Sequence, residues 1–216
     1  MILIVLVFLS IKLTLPLAIR AYHKVGIIKK NYLGHQVPIS LGLFFLPFII
    51  LFLIVFNSSL SNNLKTFYIC VAIAITLVGF YDDLKGDTTI KGLKGHFSEL
   101  LRGRLTSGIA KVGVTSIIGL FASLFYIKDS FDKIVSFLIV ILLTNTLNLF
   151  DLRPGRAIKL FFFIALFILT WGLLNKSQEV FLLYPLLGIV LAYAPIDLKG
   201  EAMLGDAGSN LLGMLL

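Results

Sequence analysis

Residues 66–85 read TFYICVAIAITLVGFYDDLK. From Thr66 to Tyr81 no side chain is charged, and then Asp82, Asp83 and Lys85 arrive together. A helix of that apolar length rises about 24 Å, close to the ~30 Å hydrocarbon thickness of a bilayer. The stretch predicts a membrane-spanning helix that stops at one interface with two carboxylates.

Working outward, the same pattern recurs. The chain has 216 residues, 58% of them hydrophobic and only 14% charged, with a mean hydropathy of +1.01. A soluble domain of this size cannot hide that much apolar surface. Seven apolar runs are long enough to span, at about 2–19, 37–56, 66–81, 109–127, 134–150, 157–174 and 180–196. An eighth begins near Ala207 and runs to Leu216, about 15 Å of helix, or half a bilayer. The expected fold class is all-α: a polytopic transmembrane helix bundle of about seven full spans plus a partial eighth, residues 1–216 forming one integral membrane domain that is incomplete at its C-terminus. The first run lacks the basic leader and short apolar core of a signal peptide and reads as a helix. Cys70 is a lone thiol in an apolar run, expected as a small packed core residue.

The loops are asymmetric. Apart from Lys12, inside the first run, fourteen Lys and Arg fall on the side reached after the first helix and four on the other. By the positive-inside rule that side is cytoplasmic and the N-terminus is outside. This distribution accounts for the net charge of +8 without nucleic acid, for which no binding motif is visible. Charge bias does not account for the acids. Eight of the eleven lie on the same inner side: Asp82, Asp83, Asp87, Glu99, Asp151, Asp197, Glu201 and Asp206.

Four motifs on this side stand out, and three of them contain Asp82, Asp83, Asp151 and Asp206. Asp82-Asp83 is a like-charge pair that favours a divalent cation such as Mg²⁺, a taker of oxygen ligands; at a helix C-terminus the pair also opposes the macrodipole. Asn145, Asn148 and Asp151 follow at i, i+3 spacing, which predicts one helical face turned to a cavity or a partner helix. Arg153-Pro154-Gly155-Arg156 is a tight break flanked by two guanidinium forks suited to phosphate, or to anchoring at the inner interface. Gly205-Asp206-Ala207-Gly208-Ser209 opens the last apolar run, where an N-cap and an anion-binding helix start are the two expectations. Lys111, at the start of the fourth run, faces the same side. His23, His35 and His96 lack ligand spacing and are expected to be solvated.

Taken together, these residues resemble the polyprenyl-phosphate N-acetylhexosamine-1-phosphate transferases, the glycosyltransferase family 4 superfamily of the phospho-N-acetylmuramoyl-pentapeptide and undecaprenyl-phosphate N-acetylglucosamine-1-phosphate transferases. Asp82-Asp83 matches the family's paired aspartates, Asn145/Asn148/Asp151 its N-x-x-N-x-x-D motif, and Gly205–Ser209 its G-D-x-G-S motif. Asn31-Tyr32-Leu33-Gly34 with Pro38 looks like its first inner loop. The family's D-G-x-D-G continuation is altered here, with Leu152 and Pro154 at the first glycine and second aspartate, and its histidine-rich loop would lie beyond Leu216.

The resemblance implies transfer of a sugar-1-phosphate from a UDP-sugar to a polyprenyl phosphate in cell-wall or surface-polysaccharide synthesis, at the inner face of a bacterial cytoplasmic membrane. It implies Mg²⁺, with Mn²⁺ as a substitute, held by Asp206 with Asn148 and Asp151. Asp82 or Asp83 would orient or deprotonate the lipid phosphate, and Asp206 completes the catalytic set. Lys111, Asn145, Asn148, Asp151, Arg153 and Arg156 would bind substrate. The implied partners are the lipid and the nucleotide sugar, with room for a homodimer. Two other classes stand beside it: an intramembrane prenyltransferase using Asp82, Asp83 and Asp87, and a non-catalytic scaffold or transporter-like relic.

Overall fold

The computed structural model describes residues 2–55, 60–85 and 106–216. Asp87, Glu99 and His96 lie outside the described residues, as do the four basic residues between Lys91 and Arg104. Eight α-helices are present among the described residues: α1 Ile2–Val25, α2 Leu41–Val55, α3 Asn62–Lys85, α4 Ser107–Tyr126, α5 Ser130–Phe150, α6 Arg156–Leu174, α7 Leu183–Leu198 and α8 Gly205–Leu215. A 3-10 turn, Glu179–Leu182, leads directly into α7. Among the described residues six segments are long and apolar enough to cross a membrane, so the chain is a polytopic helical membrane protein.

The second expected span is shorter than the sequence suggests. α2 has 15 residues, because Gln36–Pro38 pairs as strand β2 with β1, Ile28–Lys30, in an antiparallel hairpin. The apolar run from Val37 conceals a change from period 2 to period 3.6 at Ser40. Asn31 organises the hairpin turn. Its Oδ1 accepts the N–H groups of Leu33 and His35, both at 3.0 Å, and its Nδ2 donates to the Gly200 carbonyl at 2.9 Å. The hairpin is thereby tied to the loop after α7.

The helix starts carry their own caps. Thr106 Oγ1 accepts from Ile109 N at 3.3 Å before α4. Asp129 Oδ1 accepts from Phe131 N and Asp132 N at 2.9 and 3.2 Å before α5. Each satisfies amides that a helix start leaves unpaired. Outward faces are apolar: Leu13, Ile117, Phe163 and Leu174 are all well exposed, as expected where lipid is the solvent. Cys70 belongs to that outward surface, correcting the expectation of a core position. It stands on the face of α3 opposite the buried Val71, Ala72 and Ile75.

The most enclosed element is α8. Nine of its eleven residues are buried, and it lies against α3, α5 and α2. The approach is backbone to backbone. A Cβ at Gly42 of α2 would run into the Ala207 carbonyl, and one at Gly79 of α3 would stand 2.6 Å from Ala207 N and Asp206 C. Membrane helices close this tightly only where small residues face each other.

Gly79→Ala should therefore lower the thermal unfolding midpoint in detergent by the equivalent of about 1–3 kcal/mol. Gly113→Ala, on α4 where a Cβ meets nothing within 4 Å, should leave the midpoint unchanged or raise it, since alanine is the better helix former.

Candidate active site

α3 ends, and α4 and α8 begin, at one end of the bundle, together with the end of α5. That convergence brings Asp82, Asp83, Lys111, Asn148 and Asp206 together from residues up to 124 apart in sequence.

Asp83 is buried at 5% exposure, and both its oxygens are occupied. Oδ1 accepts the Asp206 N–H at 2.9 Å. Oδ2 accepts the Ala207 N–H at 3.1 Å and the Ser40 hydroxyl at 2.6 Å. The carboxylate at the C-terminus of α3 is thus the N-terminal anion of α8. Its unfavourable placement at the negative end of its own helix is offset at the positive end of another. The expected anion-binding helix start is real, and the protein's own carboxylate fills it. Gly205 makes this approach possible: its φ is +64°, and a Cβ there would lie 2.5 Å from Asp83 Oδ2.

Asp82 and Asp206 face a common cation. Lys111 Nζ lies 2.7 Å from Asp206 Oδ2 and 3.7 Å from Asp82 Oδ2. Asn148 closes the cluster. Its amide nitrogen donates to Asp206 Oδ1 at 2.7 Å and Ser209 Oγ at 2.9 Å, and its oxygen accepts from Lys111 Nζ at 2.7 Å. In that orientation every donor meets an acceptor. Ser209 Oγ donates a hydrogen bond to the Gly205 carbonyl at 2.8 Å. Lys111 and the two carboxylates retain 14–22% side-chain exposure, so the cluster is desolvated but open to a ligand.

The N-x-x-N-x-x-D spacing does not act as one stripe. Asn148 joins the cluster, whereas Asn145 is exposed one turn away. Asp151 ends α5 as its C-cap. Burial, with Asp197, Asp83 and Asp206 nearby, pushes the Asp151 carboxyl well above the usual carboxylate range, while the Gly205 backbone amide pulls it back. Arg153 and Arg156 both extend outward. Arg153 lines a small pocket with Asn31, Tyr32, Asp151, Pro154 and Met203.

Asp197, among the inner acids but assigned no role from the sequence, holds that pocket's wall. It is 4% exposed. Oδ2 accepts the Gly155 N–H at 2.7 Å, and Oδ1 accepts the Tyr193 hydroxyl at 3.0 Å, which also lies 3.1 Å from the Ala202 carbonyl. The Arg153–Arg156 break is thereby fixed to the end of α7. Tyr193 stands four residues before Asp197, on the same helical face, which is the one sequence signal that could have revealed the pair.

The donor set can be tested against Mg²⁺. Asp82, Asp206 and the Asn148 amide oxygen are hard oxygens from three helices. Among the described residues no three His, Cys, Asp or Glu surround a common point. These oxygens converge on Lys111 Nζ, so a divalent ion would take this partial set, completed by phosphate oxygens and water, with the ammonium displaced from its centre. Asp151, expected as a further ligand, lies against the Gly205 backbone amide.

A sequence model of the family described as Glycosyl transferase family 4 matches residues 65–216, a span that takes in α4 to α8, all of α3 from Lys65, and every acid of the cluster. No curated protein and no solved structure matches the chain.

Asp197→Ala should leave the buried Gly155 N–H without an acceptor and the Tyr193 hydroxyl with the Ala202 carbonyl alone, at a cost of about 2–3 kcal/mol, whereas Tyr193→Phe should cost about 1 kcal/mol. Thermal unfolding of the two variants in the same detergent checks the ranking.

Proposed function

The chain belongs to glycosyl transferase family 4, whose members are membrane glycosyl-1-phosphate transferases, and from that footing we propose that it transfers N-acetylhexosamine-1-phosphate from a UDP-sugar to a polyprenyl phosphate, with Mg²⁺, at the cytoplasmic face of a bacterial membrane. The observation that carries this reading is the Lys111–Asp206–Asn148 contact with Asp82 beside it. Four helices put one ammonium, two carboxylates and an amide at a membrane boundary, where two anionic substrates must be held together.

The bond changes are simple. An oxygen of the lipid phosphate attacks the β-phosphorus of the UDP-sugar. The bond from that phosphorus to the oxygen bridging it to the α-phosphate breaks, and UMP departs with that oxygen. The other product is a lipid diphosphosugar. The chemistry needs charge neutralisation and alignment more than covalent help. Lys111 meets the phosphate charge. Asp82, 3.7 Å from Lys111 Nζ, orients the attacking phosphate and accepts its proton. Asp206, with Asp82 and the Asn148 oxygen, would hold Mg²⁺. Bound there, Mg²⁺ would neutralise charge developing on the transferred phosphoryl group.

Two features support a nucleotide site beside the cluster. The pocket of Asn31, Tyr32, Arg153 and Met203 adjoins Asp151, and the exposed Arg153 offers a planar fork to an anion. The aspartate-rich prenyltransferase alternative needs both members of the pair free for a diphosphate-bound metal, and the use of Asp83 as a cap weighs against it. The sugar-nucleotide donor and surface-polysaccharide synthesis are carried over from the family resemblance.

Purified protein given undecaprenyl phosphate, Mg²⁺ and UDP-N-acetylhexosamines should release UMP, and chelation should stop release. Asp206→Asn should lower turnover by about 10³-fold or more while the helical circular dichroism is kept. Near-normal turnover by Asp206→Asn would remove that residue from the mechanism; no release with any donor would refute the proposal.

A further inference from the structure

Ser40 joins the hairpin to α2. It is fully buried, and its φ of +68° places a non-glycine residue in the left-handed region, where a Cβ is disfavoured. Its carbonyl accepts from Leu43 N at 3.0 Å and from the Tyr22 hydroxyl at 3.3 Å. Glycine would adopt this backbone without strain. What serine adds is the hydroxyl, and that hydroxyl donates to Asp83 Oδ2 at 2.6 Å.

The consequence passes through one side chain. Asp83 Oδ2 is shared between Ser40 Oγ and the Ala207 N–H, while Oδ1 takes the Asp206 N–H. Three donors from two elements therefore fix the rotation of a single carboxylate. Charge-assisted bonds of this kind are the strong ones. The amide held by Oδ1 belongs to Asp206 itself, whose carboxylate meets Lys111 Nζ at 2.7 Å. Without the hydroxyl, Asp83 keeps the two α8 amides but loses its shortest bond, the one that ties the carboxylate to the segment before α2. The first turn of α8, and the Asp206 side chain with it, then loses its reference point.

We infer that Ser40 is a positioning residue for the transfer reaction, setting the place of the Asp206 carboxylate through Asp83. Its catalytic part rests on the function proposed above. Its structural part, the link from hydroxyl to helix start, stands apart from that function and is measurable alone.

The discriminating variant is Ser40→Gly, which removes the hydroxyl and relieves the left-handed strain together, so the fold is expected to hold. In nanodiscs, hydrogen exchange followed by mass spectrometry should show the Asp206 and Ala207 amides exchanging about 10- to 100-fold faster than in the unmodified protein, with helices α1 and α7 unchanged. UMP release should fall by about 10- to 100-fold. Combined with Asp83→Asn, Ser40→Gly should add little further loss, because the hydroxyl acts through that carboxylate. Unchanged exchange at 206 and 207 in Ser40→Gly would overturn the link itself. Full turnover by Ser40→Gly, with Ser40→Ala impaired, would show that only the backbone shape matters and would also overturn the inference. If the unmodified protein turns over no donor while exchange still rises in Ser40→Gly, the transfer function has failed and the positioning of α8 has not.

Discussion

The Asp83 carboxylate sits where one helix ends and another begins. At the C-terminus of α3 it faces the negative end of that helix's dipole. Two backbone amides at the start of α8 turn the liability into a joint between helices. The joint is short because glycines clear its path: Gly42 and Gly79 let α2 and α3 approach the α8 backbone, and Gly205 takes the turn that exposes the amides. α8 is held by burial on nearly every face and by an anion at its start.

The polar cluster follows from that joint. Once the start of α8 is fixed, Asp206 points toward Lys111 from α4 and Asn148 from α5. Each contact brings a charge or a dipole that would be costly alone in an apolar bundle. Together they are mutually satisfied but not sealed, since Lys111, Asp82 and Asp206 keep some exposure. A second network, Tyr193–Asp197–Gly155, fixes the Arg153–Arg156 break beside it. The hairpin joins the same region through Asn31 and Gly200.

Much of this was legible in the sequence. Hydropathy located the helices because lipid imposes length and composition on a span. The ordered acids located the site because charge-bias rules leave them unexplained. Lys111 and Asp206 were recognisable as candidates, and they meet. The sequence could not separate the two members of the aspartate pair. Adjacent residues on a helix point about 100° apart, and which one faces a neighbouring helix is a tertiary fact. It also placed Asn145, Asn148 and Asp151 on one face, although α5 ends at Phe150 and Asp151 turns away as its cap. Ser40 was invisible, since a serine inside an apolar run announces neither a left-handed backbone nor a partner 43 residues away. Cys70 was misplaced because an apolar stretch shows no inside or outside when both core and lipid are apolar.

The central claim is that this acidic end of the bundle moves a phosphoryl group with its sugar, not the sugar alone. The fate of the β-phosphate decides it. A UDP-N-acetylhexosamine labelled with ³²P at the β-position, incubated with the protein and undecaprenyl phosphate, should deliver its label to the lipid phase and leave unlabelled UMP in water. Label that stays in water as UDP, or appears as inorganic phosphate, would contradict the account.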